Sequence, residues 1–201
     1  MGNQQGSRHL LLDPSETTRR APITKNQIIA YLNGAIHDAS LNKGKRIRFA
    51  QKNRDWLEVL KKLLKEIGYN SWIYKEGKER NVYVLETLCK ELDFAFDSSN
   101  LTKEEKAAYL KGFFDAEGGV PHNGGRFYIQ LVQKNLEKIR LIKKILDELG
   151  IESGKIHNPS YRVDPNYWRV FILTNSHRKF GKLIGSFHPI KSEIFRKRVM
   201  I

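Results

Sequence analysis

The sequence predicts an α+β fold made of two related halves, and three observations predict it. A helix-like run occurs twice, a short opening motif occurs twice, and alternating strand-like segments follow that motif both times. Residues 51–68, QKNRDWLEVLKKLLKEIG, align without a gap on residues 133–150, QKNLEKIRLIKKILDELG. The match includes the QKN entrance and the glycine exit (Gly68, Gly150), which two unrelated amphipathic helices have no reason to share. The opening motifs are YLNGAIHDASL, residues 31–41, and YLKGFFDAEGG, residues 109–119.

Each half reads as helix, strand, strand, helix, then a hairpin and a short closing helix. First helices are expected over about 25–39 and 103–117. Thr102, with Glu104 and Glu105 behind it, suits the second start, because acids favour the positive end of a helix. KRIRFA (45–50) and RFYIQLV (126–132) alternate as half-buried strands do. Ile47, Phe49, Ile129 and Leu131 form one apolar face, and Arg46, Arg48, Arg126, Tyr128 and Gln130 the other. In the QKN helices, Leu57, Leu60, Leu64 and Ile67 are spaced to share one side, matched by Ile139, Ile142, Leu146 and Leu149. SWIYKEGKERNVYVLE (71–86) and GKIHNPSYRVDPNYWRVFILT (154–174) read as hairpins with charged turns, and closing helices are expected over 87–92 and 176–186. The chain divides into a mobile arm (1–22), a first repeat (23–98) and a second repeat (99–201).

Of the 201 residues, 36 are Lys or Arg and 22 are Asp or Glu, giving a net charge of +14 and a pI near 9.8. That excess points to a polyanionic partner. A sheet covered by helices on one side and lined by Arg, Tyr and Gln on the other suits a major groove, with phosphate contacts for affinity and base edges for discrimination. A solvated outer face is the competing reading. One cysteine, Cys89, excludes an internal disulfide or a multi-cysteine zinc site and is expected in the core. No apolar run is long enough to span a membrane, and the amino terminus lacks a signal-peptide pattern. A reducing compartment, cytoplasm or an organelle matrix, is the expectation.

Asp115 and Glu117 lie where a helix ends, facing the negative end of its dipole, so a positive charge should compensate them. A Mg²⁺ ion held by one or two carboxylates and phosphate oxygens would do so. Asp115 as a turn cap and Glu117 as a plain surface acid is the alternative.

YLKGFFDAEGG resembles the LAGLIDADG signature, and the duplicated layout over about 25–190 resembles the monomeric, two-repeat LAGLIDADG homing endonucleases. The resemblance implies two pseudo-twofold-related αββαββα repeats with saddle-shaped antiparallel sheets straddling double-stranded DNA. It implies that the motif helices pack at a shared axis through Gly34 and Gly112, and that each delivers an acid to Mg²⁺ or another divalent cation. Glu117 holds the matching eighth position. Gln51 and Gln133 fall at the usual active-site polar position, with Lys52 and Lys134 beside them to position water or neutralise phosphate. Lys45, Arg46, Arg48, Arg80, Arg126, Tyr128, Gln130, Arg162 and Arg169 are the expected nucleic-acid contacts. Half one departs from the pattern: its eighth position is Ala39, and the nearest acid, Asp38, is one place early. At about 100° per residue an α-helix would turn Asp38 toward the partner helix. Either the helix end is overwound and Asp38 is a ligand after all, or this half has no acid and the protein nicks or only binds. His37 is expected to be structural. The reading is a site-specific, Mg²⁺-dependent endonuclease of intron-homing type, acting as a monomer and free-standing or intron-encoded. The rival is an inactive nucleic-acid binder of the same fold, a maturase acting on intron RNA or a DNA-binding regulator.

Overall fold

The motif helices cross at the centre of the molecule, and each half builds its sheet outward from them. The structure, a computed structural model, describes residues 22–77, 79–121 and 124–199. All but Pro22 of the expected arm lies outside the described residues. Helix α1 (Lys25–Ala35) and helix α3 (Lys103–Glu117) begin with the same device. Thr24 accepts a hydrogen bond from the Gln27 amide at 3.2 Å, and Gln27 accepts from the Thr24 amide at 2.9 Å. Thr102 and Glu105 repeat the exchange at 3.2 and 2.8 Å. Each pair satisfies two amides that an α-helix leaves without partners at its start.

In half one a 3-10 turn (Ile36–Asp38) follows α1, then strands β1 (Ala39–Asn42) and β2 (Arg46–Gln51), helix α2 (Arg54–Glu66), and strands β3 (Ser71–Lys75) and β4 (Tyr83–Thr87). Half two continues from α3 through β5 (Gly118–Gly119), β6 (Gln130–Gln133), α4 (Leu136–Glu148), β7 (Trp168–Phe171), α5 (His177–Leu183) and α6 (Pro189–Arg198). The first sheet has the order β1-β2-β4-β3 and the second β5-β6-β7, every pairing antiparallel. The repeated QKN now has a cause: Asn53 and Asn135 are the side-chain caps of α2 and α4. The repeated glycines, Gly68 at φ 91° and Gly150 at φ 65°, turn the chain out of those helices.

Two apolar cores result, one beneath each sheet. Phe49, Trp56, Leu57, Leu60, Leu64 and Leu85 fill the first, and Leu110, Phe114, Leu131, Ile139, Leu146 and Phe180 the second. Ala108 packs against both, at the helix crossing. Cys89 is buried in the first core. No helix among the described residues is long and apolar enough to cross a membrane.

Four expectations need correction. Helix α1 ends at Ala35, not Ala39, because the chain tightens into the 3-10 turn. Residues 87–92 form no helix: Thr87 is the last residue of β4, paired with Ile47 and Ser71, and its hydroxyl donates to Asn70 O and accepts from the Cys89 amide. The strand expected over 126–132 begins only at Gln130, leaving Arg126 and Tyr128 outside it. The last expected helix ends at Leu183, short of a left-handed Gly185 (φ 60°), and α6 follows it unforeseen.

Candidate active site at the helix crossing

Helices α1 and α3 touch backbone to backbone. A Cβ on Gly34 would lie 2.0 Å from Tyr109 O, and one on Gly112 would lie 1.9 Å from Tyr31 O. Only glycine fits at either position, and the symmetry of the two clashes marks the pseudo-twofold axis. Polar contacts repeat the symmetry with different partners. Tyr31 donates its hydroxyl to Asp115 at 2.7 Å, while the Tyr109 hydroxyl meets His37 Nε2 at 2.8 Å. His37 and Asp115 both hold the sixth place of their motifs.

Neither is a ligand at the tip. Asp115 is fully buried and accepts from Ser186 Oγ, from the Phe187 amide at 2.9 Å and from the His188 amide at 3.2 Å, so it ties down the C-terminal segment. Burial raises its pKa against the pull of those donors. Burial, aided by nearby Lys138, lowers the His37 pKa to about 4, leaving a neutral imidazole at pH 7. Lys138 Nζ approaches His37 Nδ1 at 3.5 Å. An ammonium only donates, so Nδ1 accepts and Nε2 carries the proton toward Tyr109.

The acids just beyond them, Asp38 one residue after His37 and Glu117 two after Asp115, lie close enough for the charge of Asp38 to raise the Glu117 pKa. Glu117 closes α3, and Asp38 closes the 3-10 turn. Three 3-10 steps of about 2.0 Å advance as far as four α steps of about 1.5 Å, and at about 120° per step Asp38 comes within about 40° of the azimuth of the missing fourth residue. Strand register gives the same equivalence independently. Ala39 pairs with Phe49 and Gly118 with Leu131, and Phe49 and Leu131 are matched positions of the two repeats, so Asp38 is the spatial counterpart of Glu117. The helix end is overwound, and half one keeps its acid.

Partial desolvation lifts Asp38, still open to solvent on one side, to about 6, opposed by Lys191 and by a hydrogen bond from Gln51 Nε2. Half-buried Glu117 rises to about 7, first through desolvation and then through the charge of Asp38, against the pull of Lys191, Lys138 and Lys134. Lys191, on α6, donates to Phe114 O at 2.7 Å and Asp115 O at 2.8 Å, supplying the positive charge that the carbonyl end of α3 requires. Burial lowers its own pKa to about 8.

Two oxygen-bearing side chains that repel each other, at a tip with an open side, suit a hard divalent cation whose other ligands are phosphate and water. Among the described residues no third His, Cys, Asp or Glu completes an all-protein cage. The expected glutamines behave differently: Gln51 holds Asp38, whereas Gln133 folds back to accept from the Lys134 amide at 2.7 Å and the Asn135 amide at 3.3 Å. Lys134 lies within the field of Glu117, while Lys52 is exposed in the turn after β2. Lys138 and Lys191 are site residues that the sequence reading missed. Lys191 comes from a helix that was not foreseen, and Lys138 occupies the place of Trp56 in the other repeat, so repetition gave no signal.

The outer sheet faces carry most of the expected contacts. Arg46 pairs with Glu86 at 3.4 Å, and Glu76 pairs with both Arg48 and, at 3.8 Å, Arg80. Lys45 is exposed in the β1–β2 turn. On the second sheet Arg169 lies 5.3 Å from the Tyr167 ring and 5.5 Å from the Phe171 ring, with Gln130 opposite Phe171 and Tyr128 edge-on to it at 6.0 Å. Arg162 is exposed in the preceding loop. Arg126 instead lines a recess with Phe127, His177 and Arg198.

Homing endonuclease I-ApeI of Aeropyrum pernix is 27% identical over 188 residues, spanning 81% of this chain and 83% of its own length. The crystal structure of I-DmoI in complex with DNA and Mn superposes with a TM-score of 0.60 at 22% identity, over 81% of this chain and 98% of that one. The N-terminal LAGLIDADG domain of DUF199/WhiA superposes at 0.64 and 18% identity, over 83% and 85%. At those identities the two structures establish the fold. The LAGLIDADG-like domain pattern matches twice, at residues 27–94 and 104–185, and with both copies meeting at paired glycines this chain belongs to the LAGLIDADG-like domain family.

Proposed function

We propose that the protein binds an asymmetric duplex DNA site as a monomer and hydrolyses its phosphodiesters with Mg²⁺ or another divalent cation. The observation that carries this reading is the delivery of Asp38 and Glu117 to one tip by two different local conformations. A chain with no use for the second acid has no reason to overwind a helix to keep it. The similarity to homing endonuclease I-ApeI and to I-DmoI bound to DNA and Mn supports it.

Asp38 and Glu117 would hold the cation, which supplies a more acidic water and neutralises charge on the departing oxygen. The chain's own residues do the rest. Gln51 fixes the orientation of the Asp38 carboxylate. Lys134 and Lys138 add positive potential around Glu117, favouring its ionised form and an incoming phosphate. The sheets hold the duplex through Arg46, Arg48 and Arg169.

Incubating the protein with a library of duplex sites and Mg²⁺ tests the reading. Cutting at one sequence, lost in Glu117→Gln with binding intact, is the expected result. Tight binding without cutting would leave a regulator of the same fold, and a preference for structured RNA over duplex DNA would favour the maturase.

A further inference from the structure

The first sheet, read above as a DNA-facing surface, contains one buried carboxylate. Glu86, on the inner strand β4, shares the outer face with Arg48 and Trp72, its neighbours in the pairing. Its side chain is 3% exposed. A negative charge under a face meant for phosphates is unfavourable, so its presence calls for a local reason. Its oxygens are taken: Asn42 Nδ2 donates at 2.8 Å, the Tyr74 hydroxyl at 3.1 Å and Arg46 Nη1 at 3.4 Å. Those donors hold its carboxyl below the usual range against the upward push of burial. The Arg46 guanidinium also lies 5.4 Å from the Trp72 ring, yet its side chain is 53% exposed. One edge of the fork is therefore anchored and the rest faces outward.

We infer that Glu86 is a positioning residue for base reading: with Trp72 it holds Arg46 in a single pose whose free N–H groups read a guanine through the major groove. This inference rests on the function proposed above. Arginine recognises guanine by donating two bonds to O6 and N7, which demands a fixed plane, and a fork already anchored loses less freedom on binding. Tyr74 and Asn42, bonded to the same carboxylate, are fixed along with it. Among the described residues the second sheet has no carboxylate in this place: the residue placed like Glu86, opposite Gln130, is Phe171, and Arg169 is held instead by the Tyr167 hydroxyl at 3.2 Å.

The experiment compares the wild type with Glu86→Gln, which keeps the shape and removes the charge, and with Arg46→Ala. Metal-free protein is titrated with the duplex that the wild type selects from a random library and with every single-base-pair change in it. Glu86→Gln should lower discrimination at one G·C pair by at least about tenfold, the same pair whose preference Arg46→Ala abolishes. Other positions and the salt slope should stay unchanged. An unchanged profile, or a loss spread evenly along the site, overturns the proposal. A second measurement needs no DNA: the Arg46 Nε order parameter from ¹⁵N relaxation should fall in Glu86→Gln, and an equally rigid Arg46 would overturn the clamp. If the wild type selects no duplex sequence, the proposed function fails, and relaxation still decides whether Glu86 holds Arg46.

Discussion

Asp38 is the residue whose role a count along the sequence misplaces. Glu117 is legible from its motif, because nothing in α3 departs from a regular helix before it. Asp38 is not, because its place depends on a change of helix type that no residue preference in Ile36–Asp38 announces. If both acids hold the same cation, Asp38→Asn and Glu117→Gln should each reduce cleavage by at least about 100-fold, while gel-shift affinity in Ca²⁺ stays near wild type. The pair also makes stability depend on pH. In the folded protein Asp38 and Glu117 keep their protons to about 6 and about 7, against ordinary values of 3.8 and 4.5. The folded form therefore binds more protons across that window. The pair's contribution is complete below about pH 4 and is lost as pH rises through 7. A divalent cation should reverse this by favouring the ionised pair. The gain in Tm from Mn²⁺ should accordingly be larger at pH 8 than at pH 5.5, and absent in the doubly substituted protein. An equal gain at both pH values would exclude these carboxylates as ligands.

At the scale of elements, the QKN helices and the start of α3 were the most legible part, since periodicity, the Thr102 start and the exit glycines Gly68 and Gly150 all agree. The strands were legible in face but not in length: Ile129 is buried as its alternation requires and accepts from the Ile172 amide at 2.9 Å, yet the regular strand begins only at Gln130. Residues 87–92 mislead because Leu88, Cys89 and Leu92 suggest a helical face, while Thr87 is already committed to a β4 that lies between two strands. Gly34 and Gly112 set how closely α1 and α3 approach, because added methyls would meet backbone atoms that cannot swing aside. Gly34→Ala or Gly112→Ala should cost about 3 kcal/mol by urea unfolding, near the upper end for overpacking. Both should also abolish cleavage, since separated helices separate Asp38 from Glu117. Alanine variants with wild-type stability would mean that the helices stand further apart than described.

Across the whole molecule, the two halves are stitched by residues that the repeat does not share. Phe96, in the linker, stacks on Tyr109 at 5.8 Å, and Phe187, near the C-terminal end, packs on Tyr31 at 5.0 Å. His188 stacks on Trp56 at 5.8 Å, carrying the second half's last segment onto the first half's core. Charge was legible at this scale, but its distribution was not, because several arginines on the first sheet are already paired with Glu76 and Glu86. The net charge of +14 should make duplex affinity fall by about 10³- to 10⁵-fold between 50 and 200 mM salt, if six to ten phosphates are contacted. A salt titration with a flat slope would remove the polyanion from the account. The tightened turn before Asp38 bears on how such a chain can change over generations. A gene that drops one codon there can still set a carboxylate at the same place in the strand register, since coiling absorbs the loss, even after its signature has faded from the letters.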